Sequence, residues 1–264
     1  MIIHGVTVDY ETPEGRFPGL GPIDLALGAQ EVLALVGPSG CGKSTLAKVI
    51  SGVVSPTSGD IHFPNTTAVS PRAFPVFQDY GVFPWLTVQD NTQFGLDRLG
   101  LSRKEIRRRV DYWLDRLDLS RFSKSFPHTL SGGMRQRVGL ARAFASGAEI
   151  LLLDEPFSAV DEITRESLQE IFHDLLRDSG GSALLITHSI DEAIRLGDRV
   201  LVMSGPPGRI VGEWDCRGFP FGDYPGAKAA EYVALHAEIK LTIGTPHAGS
   251  LGARTEDQAR GVHD

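Results

Sequence analysis

The 264-residue chain has little cysteine: Cys41 and Cys216 are its only two. Two thiols build no disulfide framework and suit a reducing compartment. Long apolar runs are also missing, and nothing approaches the ~20 consecutive residues of a membrane span. The start of the chain, MIIHGVTVDYETPEG, lacks a basic segment followed by an apolar one. No secretory signal is therefore expected, and the chain should be soluble and cytoplasmic, reaching a membrane only through a partner. Basic residues are in deficit: 26 Lys+Arg against 33 Asp+Glu give a formal net charge of −7. Nucleic acid is thus not expected as a partner, because backbone binding needs a net basic face. Heptad runs and cysteine clusters of zinc spacing are absent too.

What is present suffices for a packed core. Hydrophobic residues make up 41% of a chain long enough for one large domain or one and a half. Residues 6–10 and 23–27 read as short strands separated by a Pro/Gly-rich loop. Residues 32–36 (VLALV) are a continuous apolar run, typical of a buried strand. They lead into GPSGCGKST and a helical pattern ending at Ile50. SPTSGD (55–60) reads as a turn, and 74–78 as another strand.

From 87 to about 147 helical signals dominate. Thr87 with Asp90, and Ser102 with Glu105, match the capping box. The cluster Arg103, Lys104, Arg107, Arg108 and Arg109 reads as the solvated face of an amphipathic helix. This stretch is a helical insertion into an α/β core. Strands follow at 150–153, 183–187 and 199–203, with helices at 161–177 and after Ser189, which pairs with Glu192 as a capping box would. Strands alternating with helices predict a mostly parallel sheet covered on both faces. The main domain should span 1–214. The remainder, 215–264, offers one helix over 227–241 and a polar tail from Gly244 expected to be disordered.

Gly37, Pro38, Ser39, Gly40, Cys41, Gly42, Lys43 and Ser44 fit G-x-x-x-x-G-K-[ST], followed by Thr45. In such a loop backbone N–H groups close around phosphates, the lysine neutralises them and the serine hydroxyl meets Mg²⁺. Asp154 ends the strand ILLL, where it can hold Mg²⁺. Strand alternation points Glu155 elsewhere, so it can act as a base on water. His188 also ends an apolar strand. Alone it is as readily structural as catalytic; beside the other two strand ends it suits a γ-phosphate or water contact. Gln78 is neutral and can serve both Mg²⁺ and a water. Tyr80, Phe83, Pro84, Trp85 and Leu86 are either satellite core or a hydrophobic socket for a partner. LSGGMRQR places Ser131, Gly132 and Gly133 at a helix start, a second phosphate cradle in one chain.

Together these motifs resemble the ATPase subunit of ABC transporters. GPSGCGKST matches its Walker A loop, VFQ its Q-loop, LSGGMRQR its signature, ILLLDEP its Walker B strand, SAVD its D-loop and LLITHS its H-loop. The resemblance implies an α/β P-loop NTPase core with a mostly parallel sheet, an antiparallel β subdomain and a helical insertion carrying the signature. It implies ATP and Mg²⁺ as ligands. Tyr10 would stack on adenine, with Phe17 as a competing aromatic. Residues 37–45 would hold the phosphates, and Ser44, Gln78 and Asp154 would serve Mg²⁺. Glu155 would be the general base, assisted by Gln78 and His188. Asp161 would cross a dimer interface, and Ser131, Gly132 and Gly133 would reach the partner copy's ATP. Met134 and Val160 depart from the commonest residues but leave these groups in place. The implied partners are a second copy of the chain, integral membrane permease subunits and an extracytoplasmic solute-binding protein, at the cytoplasmic face of the membrane. The motif neighbourhoods look like importers of the nitrate, sulfonate and taurine type. Other readings are a non-transport ATPase of the same family and a P-loop metabolite kinase. The kinase reading leaves LSGG and the D-loop unexplained.

Overall fold

A computed structural model describes residues 1–13, 15–63, 72–76, 81–158, 160–219, 221 and 228–245. Strand β1 (Ile2–Thr12) buries Ile3, Val6 and Val8 on one side. It pairs antiparallel with β2 (Gly15–Ala26), so the Pro/Gly-rich stretch expected as loop is largely strand. Pro18 and Pro22 are tolerated because β2 is an edge of the sheet β2-β1-β4, where a missing N–H breaks no ladder. Strand β4 (Ser58–His62) takes up half of the expected turn. Gly59 permits this: a Cβ there would lie 2.4 Å from the Gly5 backbone.

The second sheet contains β3 (Val32–Val36), β5 (Ala73–Val76), β6 (Ile150–Asp154), β7 (Ser182–Ile186), β8 (Arg199–Ser204) and β9 (Arg209–Asp215), in the order β5-β6-β7-β3-β8-β9. All neighbours are parallel except β8 and β9. Parallel strands covered on both faces need apolar residues at every position. Strand β6 shows the consequence. Leu151 and Leu153 face one core cluster, while Ile150 and Leu152 face another, shared with β1 and β2.

The helices are α1 (Lys43–Ile50), α2 (Val88–Gln93), α3 (Arg103–Arg116), α4 (Gly132–Ser146), α5 (Glu162–Ser179), α6 (Ile190–Leu196) and α7 (Ala229–Gly244). The Ser102–Glu105 capping box is complete in both directions. Trp113 of α3 stacks on Phe144 of α4 at 5.0 Å, joining the insertion's helices. Helix α7 docks on α6: the Tyr232 hydroxyl donates to Asp191 at 2.6 Å, and Ile239 is fully buried. The polar tail beyond Thr245 lies outside the described residues.

Candidate nucleotide site

Strand β3 ends at Val36 and the chain turns through 37–42 into α1. Two glycines make that turn possible. A Cβ on Gly37 would lie 2.3 Å from the Met203 carbonyl; on Gly42, at φ +105°, it would lie 2.6 Å from Leu20. Pro38, Ser39, Gly40 and Ser44 are exposed, whereas Cys41 is buried. The Lys43 ammonium donates to the carbonyls of Gly37 (2.7 Å) and Pro38 (3.0 Å). It is 8% exposed, and no ion pair among the described residues engages it. A buried cation whose partners are neutral carbonyls sits in a loop open to an anion.

Tyr10 faces this loop. Its hydroxyl is 3.1 Å from Thr45 Oγ1, and its ring covers Gly19, where a Cβ would lie 2.6 Å from Cε2. Phe17 pairs opposite Tyr10 in register but is 49% exposed.

Asp154 is the last residue of β6, opposite Ile186 of β7. Glu155 lies beyond the strand at φ +51°, a left-handed conformation rare outside glycine. Its direction is therefore set by that turn and not, as expected from sequence, by strand alternation. The turn is held from both sides: Glu155 N–H donates to Ile186 O at 2.9 Å, and its carbonyl accepts from the Ser158 hydroxyl at 2.9 Å. His188 Nδ1 lies 3.3 Å from Glu155 Oε2, with the imidazole largely exposed.

Behind His188 is a buried polar group that the sequence reading missed. Ser189 accepts from Glu192 N–H, as half of a capping box would. The Glu192 carboxylate, however, turns away to accept from Gln169 Nε2 at 2.9 Å and from the Thr187 hydroxyl. Ser189 N–H donates to Thr187 Oγ1 instead, at 3.1 Å. Burial pushes the Glu192 carboxyl above its ordinary range, partly offset by these two donors. A glutamate at the third helical position has two uses, and sequence does not choose between them.

Asp161 caps α5. It accepts from Thr164 N–H at 3.0 Å and from the Thr164 hydroxyl at 2.8 Å, which holds its carboxyl below the usual range. Arg165 braces the preceding loop through the carbonyls of Phe157 and Val160. Ser131 caps α4 by accepting from Met134 N–H. Around Gly132 there is open space, while a Cβ on Gly133 would lie 2.9 Å from Thr164 Cγ2. The 131–133 segment thus stands beside the start of α5, whereas the loop 37–42 packs on Gly19, Leu20 and Met203. Gln78 and Tyr80 lie outside the described residues.

The rest of the aromatic segment is a surface feature. Trp85 is 69% and Phe94 53% exposed, and the Phe83 ring lies between them at 5.4 and 4.5 Å. Fully buried Asn91, unremarked in the sequence, fixes this loop. Its Oδ1 accepts from Phe83 N–H, and its Nδ2 lies within 3.1 Å of the carbonyls of Phe83, Leu86 and Thr87. Arg142 adds a bond to Gly81 O and stands 5.0 Å over the Phe83 ring.

Comparison with known proteins shows the family. The sequence pattern described as ABC transporter matches residues 20–158. The taurine import ATP-binding protein TauB of Roseobacter denitrificans is 38% identical over 242 residues, covering 90% of this chain and 89% of that protein. The dimeric structure of MJ0796, a bacterial ABC transporter cassette, superposes with a TM-score of 0.71 at 30% identity, covering 83% of this chain and 99% of that one. The same cassette in a dimeric post-hydrolysis state, bound to ADP and Pi, gives a TM-score of 0.69 with the same identity and coverage. On the family match over residues 20–158 and the relative aligned over 90% of its length, the chain belongs to the ABC transporter family.

Proposed function

We propose that the chain is the ATP-hydrolysing subunit of an importer, working as a dimer on separate membrane permease subunits at the cytoplasmic face. The observation that carries this reading is the pair of cradles, 37–45 and 131–133, in different neighbourhoods of one chain. In this reading the two do not close on one ATP within a single copy. Two copies related by a twofold axis do, each ATP lying between one chain's 37–45 and the other's Ser131, Gly132 and Gly133. Gly37, Pro38, Ser39, Gly40, Cys41 and Gly42 shape the first cradle. Lys43 meets the β- and γ-phosphates, Thr45 continues the helix start, and Tyr10, tied to Thr45, is the aromatic that lies on adenine.

Ser44 and Asp154 offer hard oxygen donors that suit Mg²⁺, with Gln78 as a third, and the ion would neutralise charge on the phosphates. Glu155, fixed by its turn, takes the proton from the attacking water. His188 orients that carboxylate and meets the γ-phosphate. Asp161 stands at the dimer seam. The division into an ATPase domain over 1–214 and an extension over 215–264 is part of the same reading, as is a partner solute-binding protein outside the membrane.

The relative named for taurine import supports a small sulfonate, or a similar anion such as nitrate, as the cargo. Reconstitution with the neighbouring permease and binding protein tests this. ATP-dependent uptake of labelled taurine or nitrate is expected. Hydrolysis without any uptake would reject the cargo, and a phosphorylated metabolite in place of free phosphate would reject the ATPase role.

A further inference from the structure

A cavity of 540 Å³ lies between α3 and the C-terminal ends of α4 and α5. It is far from the cradles in the topology. Leu151, near the start of β6, and Gly181, just before β7, line it. These are the starting ends of strands whose opposite ends carry Asp154 and His188.

The floor is apolar and aromatic. Trp113, Phe144 and Leu176 are buried there, with Trp113 stacked on Phe144 and Tyr112 edge-on to Trp113 at 4.9 Å. The mouth is basic. Arg109 donates to Ala145 O at 3.2 Å, satisfying the end of α4. Arg108 is exposed and has no hydrogen-bond or ion-pair partner among the described residues. Its neighbour Glu105 also lines the cavity; bonds from the Ser102 hydroxyl and N–H, with the nearby Arg108 and Arg109, hold its carboxyl below the usual range, so the mouth sets two guanidinium charges against one carboxylate. In a chain of net charge −7, a net positive mouth on an aromatic-floored cavity is a specific arrangement.

We infer that this cavity is a binding site for a small organic anion: a carboxylate, sulfonate or phosphate on a flat apolar body. The body would lie on Trp113 and Phe144, and the anionic group would meet Arg108, with Tyr112 at the edge. The basic cluster on α3, read from sequence as a solvated face, then has one member with a task.

The aromatic sulfonate 8-anilinonaphthalene-1-sulfonate is a direct probe, read by its fluorescence. A single saturable site is expected on the purified chain. Arg108→Gln should weaken binding at least fivefold, and Ala148→Phe, which fills the cavity, should abolish it. Tyr112→Ala, at a half-exposed position, should weaken binding even if Ala148→Phe does not fold. The uncharged analogue N-phenyl-1-naphthylamine should bind at least tenfold more weakly and be indifferent to Arg108→Gln. Trp85→Ala should leave the sulfonate titration unchanged. Titrations indifferent to Arg108→Gln and Tyr112→Ala, or abolished by Trp85→Ala, would overturn the proposal by placing the probe on the exposed aromatic loop.

Discussion

In the folded chain His188 Nδ1 stands 3.3 Å from Glu155 Oε2, although 33 residues separate them in sequence. Two strand ends make this contact. Strands β6 and β7 pair with Asp154 opposite Ile186, and the left-handed turn at Glu155 swings its carboxylate towards the residue two beyond Ile186.

Glu155→Gln should preserve ATP binding and lower turnover by about 10²–10⁴-fold, the usual contribution of a general base. Phosphate release and nucleotide titration on the same preparation check it. Turnover within threefold of the parent would remove Glu155 from the mechanism.

Ser131→Arg should bind ATP normally yet neither dimerise nor hydrolyse. In the Glu155→Gln background, light scattering with ATP should show dimer for the single variant and monomer for the double. A dimer in both would mean that the second cradle is not a trans contact.

Asn91→Ala removes the group that fixes the aromatic loop. Leaving buried backbone groups without that partner costs about 1–3 kcal/mol, so a lower Tm is expected. Trp85→Ala, at an exposed ring, should leave Tm unchanged and weaken co-purification with the permease. Equal Tm losses in both would instead mark Trp85 as core.

Glu192→Gln gives a pH signature. Burial raises the folded carboxyl above its ordinary 4.5, so the folded chain holds this proton more tightly than the unfolded one. The stability this provides is complete below about pH 4.5 and is lost as pH rises through the folded value. Glutamine has no such loss. Its Tm relative to the parent should therefore climb between pH 4.5 and neutrality; a constant difference across that range would refute the assignment.

Where sequence reading succeeded, the reason was local. The Lys43 loop, the Ser102–Glu105 box and the apolar strands each depend on residues within a few positions of one another. Where it failed, long-range pairing decided. The Pro/Gly stretch 15–22 becomes strand because β1 supplies the other half of the ladder. Glu192 leaves its own cap because Gln169 of α5 is within reach. Asn91 is unremarkable as a letter and consequential only because the loop folds back over it.

By itself the sequence determined the alternation of buried strands and helices, the glycine-rich turn into Lys43 and the Ser-Gly-Gly start of α4. Those are consequences of residue type and short spacing, which persist in any fold consistent with the pattern. The tertiary structure alone decided which groups meet: His188 with Glu155, Gly133 beside Thr164, and Trp113 on Phe144. Such meetings depend on strand register and helix packing, where a shift of one residue turns a side chain to the opposite face.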